Sequence, residues 1–383
     1  MEEPRKFVSP ELVGGVGSRA HAGRYARNLG LRRVFLVSDP GVADAGWTGS
    51  VTESLDDDGV GHTTCLDVTP NPRVEEVMRA AESYRTADCD GLVAVGGGSP
   101  IDCAKGIAVV VSNNRDIRDF EGVDEIPRPM PPLICIPTTA GTGADVSQFA
   151  IFSDRGRRVK ITVISKAVVP DVSLIDPETT TTMDPFLTAS TGLDALTHAI
   201  EAFVSNASSP ITDLFALEAI RLVAGELIEV LDAPEDLRHR DKMMRASLFA
   251  GLAFSSASLG VVHAMAHSLG GAYDLAHGEC NSLLLEHAIG FNFETTPDRY
   301  REVAAALGDK VSGVGDDEVL DMLLERLRDL RCRAGITGTL GELGVTQDRI
   351  TDLAEAALSD PCMATNPRAA DLGDIEQIYV QAL

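Results

Sequence analysis

Lysine is nearly absent from this chain. In 383 residues only Lys6, Lys105, Lys160, Lys166, Lys242 and Lys310 occur, and arginine supplies most of the positive charge. With 33 basic residues against 58 acidic ones, the net charge is −25. Such a surface repels polyanions, which argues against nucleic acid or an anionic membrane as a partner, since both are bound through basic patches. Long hydrophobic runs are also missing: none approaches the ~20 residues of a membrane-spanning helix. The opening stretch MEEPRKFVSPELVGG lacks the apolar segment and small-residue cleavage site of a secretory signal, which predicts a cytoplasmic protein. The seven cysteines (Cys65, Cys89, Cys103, Cys135, Cys280, Cys332, Cys362) include no CxxC pair. That argues against a disulfide scaffold or zinc knuckle, and most are expected to be small buried hydrophobes.

What is present fits a globular protein with a substantial core: 44% hydrophobic and 24% charged residues. The length suits two domains. The first half alternates strand-like and helix-like segments. Strands are expected at 33–37, 61–68, 91–95 and 133–136, with a hairpin from 147–152 and 159–164, and helices at 73–86 and 100–111. This is the pattern of a mostly parallel, Rossmann-like α/β sheet. After Ile175-Asp176-Pro177 the texture becomes helical, with segments expected at 186–205, 210–231, 240–257, 260–273 and 280–292. The expected organisation is an α/β nucleotide-binding domain over 1–181 and an all-α metal-binding domain over 182–383, with an active site in the cleft between them.

A strand running into Gly96-Gly97-Gly98-Ser99 and then a helix presents backbone N–H groups and a helix N-terminus to a pyrophosphate. Glycine is required there because a Cβ would hold the phosphate off. Thr138-Thr139-Ala140-Gly141-Thr142 follows the next strand, so both loops fall at the carboxyl edge where α/β sheets bind ligands. Asp39 closes the first clear strand; a carboxylate there can accept hydrogen bonds from a ribose diol and repel a 2′-phosphate, favouring NAD over NADP. As an alternative, Asp39 in Asp-Pro-Gly is a helix or turn cap.

Six of the eight histidines lie between His198 and His287. Asp194 and His198 stand at i and i+4 on one helix face, and His263 and His267 repeat the spacing. His277 follows in Ala276-His277-Gly278-Glu279, where the glycine suggests a helix break or a bend. A carboxylate and imidazoles converging from separate helices, Asp194, His198, His263 and His277, can fill a divalent-metal site and leave one position open. His239 and His287 are expected to be ordinary packed histidines.

These motifs resemble the iron-containing (group III) alcohol dehydrogenase family, nearly end to end: GGGSPIDCAK (96–105), PTTAGTGAD (137–145), PDVSLIDP (170–177), TGLDALTHAIEAFVS (191–205), VVHAMAHSLGG (261–271), HGECNSLLLEH (277–287) and NPR (366–368). The resemblance implies hydride transfer between a small alcohol or its aldehyde and NAD. It implies one divalent metal, Fe(II) or sometimes Zn(II), on Asp194, His198, His263 and His277. It places Gly97, Gly98, Ser99, Asp102, Thr138, Thr139, Thr142 and Lys160 at the nucleotide, with Asn71 beside them and Asp39 selecting NAD. His267 becomes a proton carrier near the metal, and Phe149, Phe254 and Cys362 line the substrate pocket. The chain departs from common family patterns at Gly143-Ala144-Asp145 and at Phe149, where some relatives have asparagine. A glycerol dehydrogenase-like or dehydroquinate synthase-like enzyme shares the frame, but Asp194 with three histidines favours the alcohol dehydrogenase branch. Family members are usually dimers or larger, and a strand near 5–13 is expected to pair across a twofold axis.

The acidity and lysine scarcity also suggest adaptation to high salt. At molar salt the screening length falls to roughly 3 Å, so self-repulsion largely vanishes. The melting temperature is expected to rise from low to molar NaCl, with stability lost below about 0.5 M; a flat melting curve across that range would remove this reading.

Overall fold

The structure, a computed structural model, describes residues 6–383. It divides into two compact units, Val8–Met183 and Asp184–Leu383, the latter taking in Phe7.

The first unit contains β1 (Glu11–Gly14), β2 (Arg33–Val37), β3 (Gly61–Cys65), β4 (Gly91–Gly96), β5 (Gly122–Val123), β6 (Leu133–Pro137), β7 (Phe149–Asp154), β8 (Val159–Ile164) and β9 (Val172–Ile175). Six of them form a parallel sheet in the order β1-β9-β6-β4-β2-β3. Its central strands are apolar at nearly every position because both faces are covered. Phe35, Leu92, Ala94 and Leu133 point into one core with Val77, Ile101 and Ile107, while Val34, Leu36, Val93 and Ile134 point into another with Ala22, Val51 and Leu55. This is the two-residue period of a strand sorted onto two faces. The helices that cover them are α1 (Ala22–Asn28), α2 (Pro40–Asp44), α3 (Trp47–Asp57), α4 (Val74–Thr86) and α5 (Gly98–Asn113).

Several expectations are sharpened. The hairpin β7–β8 forms, but it joins β5 in a separate three-stranded sheet. β3 stops at Cys65, not residue 68, because its partner β2 ends where Val37 pairs with Cys65. The strand expected near 5–13 is confined to Glu11–Gly14 and pairs in parallel with β9 of the same chain; Arg5 of that expectation lies outside the described residues. Helices α1 and α3 and the short strand β9 are not among the elements expected from the sequence.

The second unit is helical throughout its described residues: α6 (Pro185–Val204), α7 (Pro210–Asp232), α8 (Leu237–Ala257), α9 (Val261–Tyr273), α10 (His277–Asn292), α11 (Pro297–Ala306), α12 (Asp316–Arg333), α13 (Ile350–Leu358) and α14 (Leu372–Ala382). Asp184 starts α6 by accepting the Leu187 N–H at 2.8 Å, with Pro185 in the first turn, where a missing N–H costs nothing. Among the described residues no single helix is long and apolar enough to cross a membrane.

The turn from β4 into α5 is tight. Gly96 has φ of 153°, and a Cβ there would lie 2.5 Å from Pro100 Cγ. Gly96→Ala is therefore expected to destabilise the protein by about 1–3 kcal/mol, read as a lower midpoint in denaturant titration; an unchanged midpoint would show that the turn relaxes freely.

Candidate functional site

In the helical unit, α6 presents Asp194, His198 and Glu201 at i, i+4 and i+7, which share a face. α9 presents His263 and His267, and α10 begins at His277. The structure brings Asp194, His198, His263 and His277 together: one donor atom from each lies within 4.8 Å of the others. His263 Nε2 and His277 Nε2 stand 3.7 and 3.8 Å from Asp194 Oδ1, and His198 Nδ1 is 3.9 Å from Oδ2. The helix break expected around Gly278 falls just before it, at residues 274–276 between α9 and α10. Gly278 itself lies inside the first turn of α10, where a Cβ would meet Ser190 O at 2.2 Å, so glycine lets α10 press against α6 beside Asp194.

Asn281, one turn after His277, donates from Nδ2 to Asp194 Oδ1 at 2.7 Å, and the same nitrogen stands 3.1 Å from His263 Nε2 and 3.2 Å from His277 Nε2. Its two N–H groups thus face one carboxylate oxygen and two ring nitrogens, which lose their protons when they bind a cation. Its Oδ1 is buried with no hydrogen-bond partner. Burial opposes ionisation of Asp194, but His198, His277 and His263 around it hold its carboxyl well below the usual range. Burial likewise opposes charge on His263, yet Asp194 and Glu201 push it up to about 9. One carboxylate and three imidazoles, held by packed helices, fit a divalent cation.

His267 lies beside this cluster, its ring stacked on that of His277 at 5.3 Å. Its Nδ1 pairs with Asp360 Oδ2 at 2.8 Å, and Nε2 is buried without a partner. Phe254 stacks on His198 with ring centroids 4.4 Å apart. Cys362 is buried close to His267 and Asp360; burial pushes its thiol well up, as does neighbouring Asp360, so it presents a neutral wall. His239 pairs instead with Glu226 at 2.7 Å and is not one of the clustered donors.

In the α/β unit, the two loops after β4 and β6 meet. A Cβ on Gly97 would touch Thr139 Cγ2 at 3.1 Å, and one on Gly98 would touch Thr142 Cγ2 at 3.1 Å. Thr139 Oγ1 is buried without a partner, and Thr138 N–H donates to Gly96 O at 3.0 Å. Ser99 Oγ accepts from Asn71 N–H at 3.2 Å, and Lys160 Nζ donates to Asn71 Oδ1 at 2.9 Å. Asn71 sits in the left-handed region with φ of 55°. Asp102 accepts from Ile151 N–H at 3.2 Å; burial pushes its carboxyl up to about 6 against the pull of Lys105 and Lys160. Asp39 caps α2 by accepting Val42 N–H on Oδ1 at 3.0 Å. The cap alternative is thus realised, and it uses one carboxylate oxygen. Phe149 is buried at the start of β7.

Glu201, Asn281, Asp360 and Lys105 went unnoticed among the site residues. The first two carried a readable signal: Glu201 completes the i, i+4, i+7 face with Asp194 and His198, and Asn281 is i+4 from His277. Lys105, fully buried, donates to the carbonyls of Ser147 and Phe149 at 2.9 and 2.7 Å, and burial lowers its pKa. No sequence spacing announces that contact, nor the one between Asp360 and His267.

Comparison with known proteins bears on this geometry. A family described as iron-containing alcohol dehydrogenase matches residues 9–177, and the Fe-containing alcohol dehydrogenase family, C-terminal, matches residues 188–383. The NAD-dependent methanol dehydrogenase of Bacillus methanolicus is 34% identical over 377 residues, covering 98% of this chain and 99% of its own. Alcohol dehydrogenase 4 of Schizosaccharomyces pombe is 40% identical over 370 residues, covering 96% and 86%. Among solved structures, a 1,3-propanediol oxidoreductase superposes with a TM-score of 0.97 at 34% identity over 100% of both chains. An archaeal halo-thermophilic Red Sea brine pool alcohol dehydrogenase gives 0.94 at 28% identity, covering 100% of this chain and 99% of that one. Matched in both halves and related over nearly its whole length, the chain belongs to the iron-containing alcohol dehydrogenase family.

Proposed function

We propose that this enzyme interconverts a small alcohol and its aldehyde with NAD, using one divalent cation held by Asp194, His198, His263 and His277. The convergence of those four donors carries the reading. Iron(II) is the favoured ion, given the family, with zinc(II) as the second choice for the same donor set. When bound, the cation supplies Lewis acidity that favours the ionised alcohol oxygen, and NAD supplies the hydride acceptor.

The chain's own residues do the rest. Gly97 and Gly98 let backbone N–H groups at the start of α5 approach a pyrophosphate, with Ser99, Thr138, Thr139 and Thr142 adding hydroxyls. Asn71, Asp102 and Lys160 bind the remainder of the cofactor. Asp39 keeps Oδ2 for a ribose diol while Oδ1 caps α2. Asp360 holds His267 with Nδ1–H directed at its carboxylate, so Nε2 is the atom that takes the alcohol proton and passes it on. Phe254 and Cys362 give substrate an apolar lining beside the histidines, which suits an alkyl alcohol better than a polyol; Phe149 is the apolar lining residue proposed from the α/β unit.

The enzyme works in the cytoplasm as a homodimer or larger assembly; β1, at the sheet edge with Leu12 and Val16 exposed, supports self-association. The acidic surface and the likeness to a brine-pool enzyme support a high-salt setting.

His263→Ala is expected to lose metal and activity together. His267→Ala should keep its metal but turn over roughly 10²-fold more slowly or worse, the usual range for a lost acid–base group. Metal analysis and steady-state assays with short aldehydes and NADH check both, and full metal content in the His263 variant would sink the assignment. Asp39→Ala should shift the NADP-to-NAD ratio of kcat/KM by roughly tenfold or more, a change of about 1.4 kcal/mol; an unchanged ratio would leave Asp39 as a cap alone.

A further inference from the structure

Helix α9, which carries His263 and His267, starts without a cap of its own. Gly260 offers no side chain, yet two early N–H groups are satisfied from elsewhere. Val261 N–H donates to Asn366 Oδ1 at 3.1 Å, and Val262 N–H donates to Glu201 Oε1 at 2.7 Å. The second oxygen of Glu201, Oε2, lies 2.5 Å from His263 Nδ1. Glu201 is buried, and a Cβ on residue 260 would come within 2.9 Å of Glu201 Oε1 and 2.8 Å of Asn366 Oδ1. Glycine at 260 is what lets both acceptors reach the helix end.

We propose that Glu201 is the positioning residue of the metal centre, fixing His263 with Nδ1–H on its Oε2 and Nε2 toward Asp194 while tying the start of α9 to α6. The inference rests on the four-residue metal centre proposed above. A carboxylate this deeply buried needs donors on both oxygens, and it finds one on the helix backbone and one on the ligand ring. In the neutral ring the pairing leaves one tautomer, with the lone pair on Nε2, the atom that stands 3.7 Å from Asp194 Oδ1 and 3.1 Å from Asn281 Nδ2. A carboxylate behind a metal-bound imidazole also makes that ring a stronger donor. Because Glu201 shares one face of α6 with Asp194 and His198, a single helix sets two ligands and the orientation of a third. Asn366 caps the same helix without touching a ligand ring, so it separates the two parts of the role.

The test is metal affinity rather than turnover. Zn(II) binding is measured by chelator competition on the full-length wild type and on Glu201→Gln, Glu201→Asp, Asn366→Ala and His263→Ala, with visible spectra of the Co(II) forms. Glu201→Gln, which keeps a cap acceptor but removes the charge, should bind Zn(II) about 10–100-fold more weakly, with an altered Co(II) spectrum. Glu201→Asp should recover part of that loss. Asn366→Ala should lower the melting temperature of the metal-free protein, yet stay within about threefold of wild-type affinity, because the histidine keeps its carboxylate. Wild-type affinity in both Glu201 variants overturns the proposal, and so does an Asn366→Ala loss equal to that of Glu201→Gln, which would reduce Glu201 to a helix cap. Should Glu201→Gln not fold, the aspartate variant decides alone: wild-type affinity and spectrum there overturn the proposal, and weakened binding supports it. If wild type binds no Zn(II) or Co(II), or His263→Ala binds as wild type does, the metal centre itself falls, and this inference with it.

Discussion

Asp194 is a carboxylate with almost no contact with water, and the helical unit is organised around it. Alone at that depth, an ionised carboxyl would carry a desolvation penalty of several kcal/mol. Here Asn281 donates at 2.7 Å, and imidazole nitrogens from three histidines stand within 4 Å. Such a cluster is stable only if the helices delivering it cannot drift. Three features hold them: Gly278 allows backbone contact between α10 and α6, Glu201 joins α6 to α9, and Asn366 ties α9 to the 361–368 segment. The small residues and buried polar groups of this region follow from the demand to keep one anion and three rings in register.

The loops after β4 and β6 in the α/β unit are governed by different physics. They offer mainly backbone and hydroxyl groups, so the limiting quantity is how closely chain can approach chain. Gly97 and Gly98 lie against Thr139 and Thr142 at distances that leave a side chain little room. Lys105, buried beneath, ties the 147–149 segment to α5 through two carbonyls. A buried ammonium is an expensive way to hold a loop. Asp102 and Asp145 nearby offset part of that expense by favouring its charged form.

Legibility in the sequence followed the range of the interaction. The central strands were readable because burial on both faces leaves an unbroken apolar run in β2, β4 and β6. Asp194, His198 and His263 were readable because helix geometry turns a spacing of four into a shared face. Element ends were not, since they depend on the partner: β3 ends at Cys65 because β2 ends at Val37. The pairing of β1 with β9 and of Asp360 with His267 joins residues more than ninety positions apart, and nothing local marks either contact. Gly278 shows the same limit. Within its own segment a glycine signals a break or a bend, and the break lies just before it at 274–276, but its close approach to Ser190 on another helix has no local mark.

Asp39 supports two readings at once because its two oxygens can serve different partners. As a helix cap it needs one oxygen, and the structure assigns Oδ1 to Val42 N–H. A carboxylate has two oxygens with about four acceptor positions, so capping leaves it able to accept further hydrogen bonds. Capping also directs the group, because an aspartate held at the N-terminus of α2 cannot swing away from the carboxyl end of β2, where an α/β sheet binds its ligands. The structural role is therefore the means by which a specificity role would be preorganised. Glu201 shows the same economy beside the Asp194 cluster, where one carboxylate satisfies a helix end and pairs with the ring of His263.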